Sequence, residues 1–168
     1  MTGVSDMFKI DDYVAYGVNG VCRVVDVCPS PFDKTDTRSF YVLKPLFAAA
    51  ASNATIYTPV DIEARRLRPL IDRAEAESLL NSAETITAVD IGTEKNRRHV
   101  YQETMATCDV REYARILKTV RRRRTEAAAL RKNLPDVDIE FESKAKKCLY
   151  GELSVVLGVP FESFEGKI

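Results

Sequence analysis

The sequence predicts an α+β fold in two separate parts: a small, strongly bent antiparallel sheet or barrel, then a compact all-α helical bundle. Three observations carry this. Residues Phe8 to about Leu70 alternate with the period of two that belongs to strands. From Asp72 onward apolar residues recur at three- and four-residue intervals, the period of helices. The change falls near residues 70–73 and splits the 168 residues into segments 1–71 and 72–168, each large enough for a small core.

In the first segment Tyr13-Val14-Ala15-Tyr16 reads as a short strand and Gly17 to Gly20 as a turn, in which Asn19-Gly20 tolerates positive φ. Val21 to Val27 follows as a second strand, with Val21, Arg23, Val25 and Val27 on one face. Pro29 and Pro31 end it, because proline has no N–H for a ladder. Ser39 to Leu46 and Thr55 to Val60, rich in aromatic and β-branched residues, read as strands three and four. Arg66 to Leu70 is a candidate fifth. Strands this short and close suggest a barrel of SH3 or Tudor type. The Ala-rich Phe47 to Asn53 fits either a helical turn or a loop.

In the second segment Asp72-x-x-Glu75 has capping-box spacing and opens a helix to about Leu80. Thr85 to Gly92 is a connector, and Thr93 is placed to cap a helix running towards Met105. Asp109-x-x-Glu112 has the same box spacing at the start of a long helix. There Val110, Tyr113, Ala114, Leu117 and Val120 form one buried stripe, and Arg111, Arg115, Lys118 and Arg122 fall on other faces. Asn133-Leu134-Pro135 breaks the pattern. A last helix from about Asp138 turns Phe141, Ala145, Cys148, Leu149 and Leu153 inward and stops at Gly158. The tail beyond Pro160 reads as a loosely held extension.

Composition narrows the function classes. No apolar run approaches the roughly 20 residues that cross a bilayer, and the N-terminus has no charged-then-apolar signal pattern, so a cytoplasmic protein is expected. Cys22, Cys28, Cys108 and Cys148 make no CxxC pair, which argues for reduced thiols without a metal or disulfide framework. His99 is the single histidine, and no Gly-rich phosphate loop or nucleophile constellation is present. No catalytic residue, metal ligand, cofactor or small-molecule substrate is expected.

One feature stands against the overall neutrality of 25 basic and 25 acidic residues. From Arg111 to Lys132 nine Lys/Arg face Glu112 and Glu126, a local charge of +7 that culminates in Arg121-Arg122-Arg123-Arg124. A field of that size attracts phosphate backbones. Four consecutive arginines surround a helix, so Arg122 and Arg123, with Lys118 one turn earlier, are the expected phosphate contacts. Arg97 and Arg98, with Lys95, form a second basic patch, and Arg98 is spaced to pair with Glu94.

Phe8-Lys9-Ile10-Asp11-Asp12-Tyr13-Val14-Ala15-Tyr16 followed by Gly20 resembles the opening of the CarD/CdnL family of bacterial transcription regulators. The resemblance continues through Tyr41 to Pro45, Tyr57 to Val60, Leu67-Arg68-Pro69, Arg97-Arg98, Leu117 to Arg124 and Lys144-Ala145-Lys146-x-x-Leu149-x-Gly151-Glu152-Leu153. It implies a Tudor-like domain at 1–71 that docks on the RNA polymerase β subunit, with Thr55 and Tyr57 in the docking strand. It also implies a helical domain at 72–168 that contacts promoter DNA with little sequence preference and alters open-complex stability. A nonenzymatic, monomeric regulator follows, with Lys95, Arg97, Arg98, Lys118, Arg122 and Arg123 as DNA contacts.

The chain departs from the family pattern at several points. Asp11 stands where Gly is usual, and Gly17 and Asn19 where Pro and His are frequent. Lys95 takes the place of a Trp wedge, and the chain has no Trp. Tyr57 stands where the docking strand often carries Arg. The missing Trp keeps open an adaptor whose helical half has lost DNA binding.

Overall fold

The computed structural model describes residues 8–49, 52–61 and 67–168. Alternation first drives the N-terminal strands to share one apolar face. Strands β1 (Tyr13–Tyr16), β2 (Val21–Pro29), β3 (Ser39–Pro45), β4 (Ile56–Pro59) and β5 (Leu67–Pro69) form one antiparallel sheet in the order β4-β3-β2-β1-β5. Val14, Cys22, Val24, Tyr41, Leu43 and Leu67 make its core. The sheet does not close: among the described residues β4 and β5 remain its two edges, so the architecture is a bent open sheet rather than the expected barrel. Arg66, Ala50 and Ala51, which belong to the expected fifth strand and Ala-rich segment, lie outside the described residues.

Two local expectations change for physical reasons. The β2–β3 register shifts between Val24 and Asp26. This bulge resets the alternation, so Val27 packs with Cys22 and Val24 on the core rather than sharing a face with Val21, Arg23 and Val25. The turn between β1 and β2 is a 3-10 turn over Gly17–Asn19, and its left-handed residues are Gly17 (φ 50°) and Gly20 (φ 70°), not Asn19. Asp11, in the position the family gives to Gly, also has positive φ (76°). Its carboxylate accepts from Arg23 Nε at 3.1 Å, and Asp is one of the few side chains that visits this region readily.

The helices follow: α1 (Arg73–Asn81), α2 (Arg97–Ala106), α3 (Val110–Ala129) and α4 (Asp136–Leu157). The Asp72/Glu75 capping box forms in full, with Asp72 Oδ1 accepting from Glu75 N at 2.7 Å and Glu75 Oε2 from Asp72 N at 3.1 Å. Thr93 makes no side-chain cap, because a 3-10 turn over Glu94–Asn96 precedes α2. Asp109 caps α3 alone: it accepts from Arg111 N at 2.7 Å, while Glu112 turns to Arg115 and leaves the box open. α4 starts two residues before Asp138 and ends at Gly158 in the left-handed conformation (φ 68°). The second core runs through Leu79, Tyr101, Met105, Tyr113, Ile116, Leu117, Val120, Phe141, Leu149 and Leu153. The tail is not loose. A 3-10 turn over Phe161–Phe164 seats Phe164 and Ile168 in this core, and Tyr150 packs on Phe161 and Phe164.

Sheet and helices meet along α4. Cys148 Sγ donates to Gly17 O at 3.5 Å. A Cβ on Gly151 would lie 2.7 Å from the Phe47 ring, so only glycine lets Phe47 lie on the helix and reach Phe161. Glu152, 1% exposed, accepts from Arg68 of β5 through both oxygens (2.7 and 2.8 Å) and from Ile71 N at 2.8 Å. Arg68 Nε also donates to Cys108 O at 2.7 Å, tying the edge strand to the α2–α3 corner. Burial opposes the Arg68 charge, but Glu152 outweighs it and holds the guanidinium pKa above its ordinary value.

Candidate functional site

Helical geometry separates the two faces of α3. Val110, Tyr113, Ala114, Ile116, Leu117 and Val120 are buried. At about 100° per residue, Arg111, Arg115, Lys118 and Arg122 fall within roughly 60° of arc on the opposite side. Arg115 is partly neutralised by Glu112 at 2.9 Å, and its Nε donates to Thr87 O at 3.3 Å. Among the described residues Arg122 pairs only with Glu126, at 3.8 Å with both side chains exposed, a contact worth little in water. Lys118 is half-buried between them along the helix.

The four consecutive arginines go to different places. Arg121 and Arg122 are exposed. Arg124 pairs with Glu142 of α4. Arg123 turns inward, 18% exposed. Its Nε donates to Asp138 Oδ2 at 3.2 Å, and its two terminal nitrogens grip Glu94 at 3.0 Å each. Arg97, also buried, donates to Asp138 Oδ2 at 3.2 Å and pairs with Glu94. Asp138 is fully buried and takes a third bond from Tyr101 OH at 2.7 Å. Burial, with the Asp138 acceptor, pushes the Tyr101 hydroxyl well above its ordinary pKa, so it remains a donor.

This node has two arginines against two carboxylates and joins α2, α3, α4 and the Glu94 turn. It brings together two patches some 25 residues apart in sequence, because Glu94, next to Lys95, docks on Arg123 of α3. Of the six cations expected to meet DNA, Lys95, Arg98, Lys118 and Arg122 stand partly or fully in solvent. Arg97 and Arg123 are enclosed by carboxylates. Arg98 pairs with Glu140 at 2.9 Å rather than with Glu94, because the 3-10 turn gives Glu94 to Arg97 instead. The Arg98 guanidinium lies 5.9 Å and the Lys144 ammonium 4.8 Å from the centre of the Phe141 ring. Sequence reasoning missed Asp138 and Glu152 as buried charges. The signal was available: both sit on the apolar stripe of α4 defined by Phe141, Ala145 and Cys148.

A second surface lies at the sheet edge. β3 is paired on both sides, so its backbone is spent, whereas β4 has β3 on one side only. Thr55 is exposed just before β4, and Tyr57 is exposed within it. The Tyr57 ring stands edge-to-face with Phe32 at 5.7 Å and 83°, and Phe32, the most exposed large apolar side chain described (74%), leans on Phe40 at 6.1 Å. The outer edge of β4 thus carries an unpaired strand face beside an exposed aromatic pair, an arrangement suited to protein docking. Phe32 follows Pro31 in the connection between β2 and β3, where no periodicity marks a functional aromatic.

Residues 8–71, the whole sheet and its turns, match the CarD-like/TRCF RID domain family. The chain carries a CarD-like domain. This domain type is a protein-interaction module that binds RNA polymerase, which assigns the chain a transcription-related function. The match ends where the CarD-like domain gives way to α1, so the helical half is described by its own geometry. No curated protein matches the chain significantly. Among the described residues no group of three His, Cys, Asp or Glu is placed to hold a metal ion, and no helix is long and apolar enough to cross a membrane.

Proposed function

We propose that the chain is a nonenzymatic transcription regulator acting as a monomer. Residues 1–71 dock on the polymerase β subunit, and residues 72–168 hold promoter DNA with little sequence preference and alter open-complex stability. The observation that carries the reading is a set of cations that reach solvent, Lys95, Arg98, Lys118 and Arg122, in the same chain as a CarD-like domain. These cations suit phosphate contacts, which position a duplex without reading sequence.

Two measurements test it. Lys118→Ala with Arg122→Ala removes exposed charge and spares the buried node. In anisotropy titrations it is expected to weaken binding equally on unrelated duplexes and to reduce the salt slope by about 2. Unchanged affinity removes α3 from the interface. For docking, Tyr57→Ala is expected to lower affinity for RNA polymerase by about tenfold or more, the scale of an aromatic anchor. Full retention in co-purification with core polymerase would move the docking site away from β4.

The enclosure of Arg97 and Arg123, together with Lys95 in place of Trp, favours a second reading. In it the CarD-like domain serves a protein adaptor whose helical half no longer binds DNA. Absence of duplex affinity at low salt, with polymerase binding intact, selects that reading.

A further inference from the structure

We propose that Arg97 and Arg123 form a phosphate-binding site which Glu94 fills from within the chain, and that a DNA backbone phosphate displaces Glu94 when the duplex docks. The inference rests on the helical half binding DNA.

The two carboxylates of the node are unequal. Asp138 is fully buried, bonded by Tyr101, and its departure would strand two cations in the core. Glu94 is 66% exposed and sits on a three-residue 3-10 turn. Arg123 holds it with two parallel bonds of 3.0 Å, the fork geometry that guanidinium groups offer equally to carboxylate and phosphate. A phosphodiester carries one negative charge over two non-bridging oxygens, as a carboxylate does. The exchange therefore leaves the node neutral while Glu94 passes into water it already touches. A further donor is unfilled: Arg97 Nε is buried and has no hydrogen-bond partner among the described residues. Lys95, next to Glu94 and exposed, supplies charge at the mouth of the site.

The exchange explains how two enclosed arginines contribute to DNA affinity only once a duplex is present. It also lowers that affinity, because an attached carboxylate competes with the phosphate at high effective concentration.

The test compares wild type, Glu94→Gln and Glu126→Gln, the last a charge-matched control beside Arg122. The first arm needs no DNA: thermal unfolding in inorganic phosphate against chloride at equal ionic strength. Glu94→Gln is expected to gain stability selectively from millimolar phosphate, and wild type and Glu126→Gln are not. No phosphate-specific gain in Glu94→Gln overturns the site, whatever the DNA titration shows. The second arm is duplex affinity. Glu94→Gln is expected to bind about tenfold tighter than wild type, with a salt slope steeper by about 1 to 2, as two arginines become free for phosphate. Glu126→Gln should gain less than about threefold, the effect of one exposed charge. Equal gains in the two variants overturn displacement by DNA. Failure of every variant to bind duplex defeats the DNA reading itself, while the phosphate arm still decides the site.

Discussion

Glu152→Gln is expected to destabilise the chain by about 3–5 kcal/mol, the cost of leaving one member of a buried ion pair without its partner. The substitution is nearly isosteric, and the glutamine oxygen still accepts from Ile71 N, so the loss isolates the charge. Arg68 then keeps its bond to Cys108 O but has no counter-charge in a site that is only 24% open to water. A denaturant titration should show the midpoint falling, and thermal unfolding should move down by about 10 °C. Because Arg68 belongs to the sheet and Glu152 to the helices, probes of both halves should shift. Pairing Arg68→Met with Glu152→Leu should recover most of the stability, since apolar pairs of similar volume replace buried ion pairs at little cost. A Glu152→Gln variant within about 1 kcal/mol of wild type would mean that the pair is effectively solvated.

That clamp bears on function through placement. Tyr57 sits at one edge of the sheet and Arg68 on the strand at the other edge, bonded to α4. A protein docked along β4 is thereby linked through the sheet to the helical half, and the Arg68–Glu152 pair is one of the contacts that join the two, beside Cys148 with Gly17 and Phe47 with Phe161. With the pair broken, the connection between the β4 edge and the helical half is expected to become less rigid.

The elements were legible where local rules decide them. The Asp72 box, the buried stripe of α3 and the Gly158 stop follow from side-chain spacing and backbone freedom, which are properties of neighbouring residues. The bulge in β2 was not legible, because Val21 to Val27 is apolar or tolerable on either face and only pairing with β3 chooses the phase. Barrel closure likewise depends on distant edges. In the candidate site, the sequence marked the basic residues but not their destinations. Arg97, Arg123, Asp138 and Glu152 all lie on the inward stripes of their helices, and a charge on such a stripe predicts a buried partner. Which partner it meets depends on how α2, α3 and α4 cross, and on a 3-10 turn that delivers Glu94.

The same reasoning sets the expected result at Asp138. Asp138→Asn keeps an acceptor for Tyr101 OH but leaves Arg97 and Arg123 sharing the single charge of Glu94, with an amide donor in place of the Oδ2 that both arginines now share. The node changes from neutral to a net positive charge inside the bundle, at an expected cost of about 3–5 kcal/mol. Unlike the loss at Glu152, this one should be confined to the helices: amide exchange protection should fall in α2, α3 and the first turns of α4 and persist in β1 to β3. DNA binding adds a second readout. If a duplex phosphate enters beside Arg97 and Arg123, it supplies the missing negative charge, so saturating duplex should stabilise Asp138→Asn more than it stabilises wild type. An equal gain in both proteins would show that the duplex stays on the outer face of α3 and leaves the buried arginines to purely structural work.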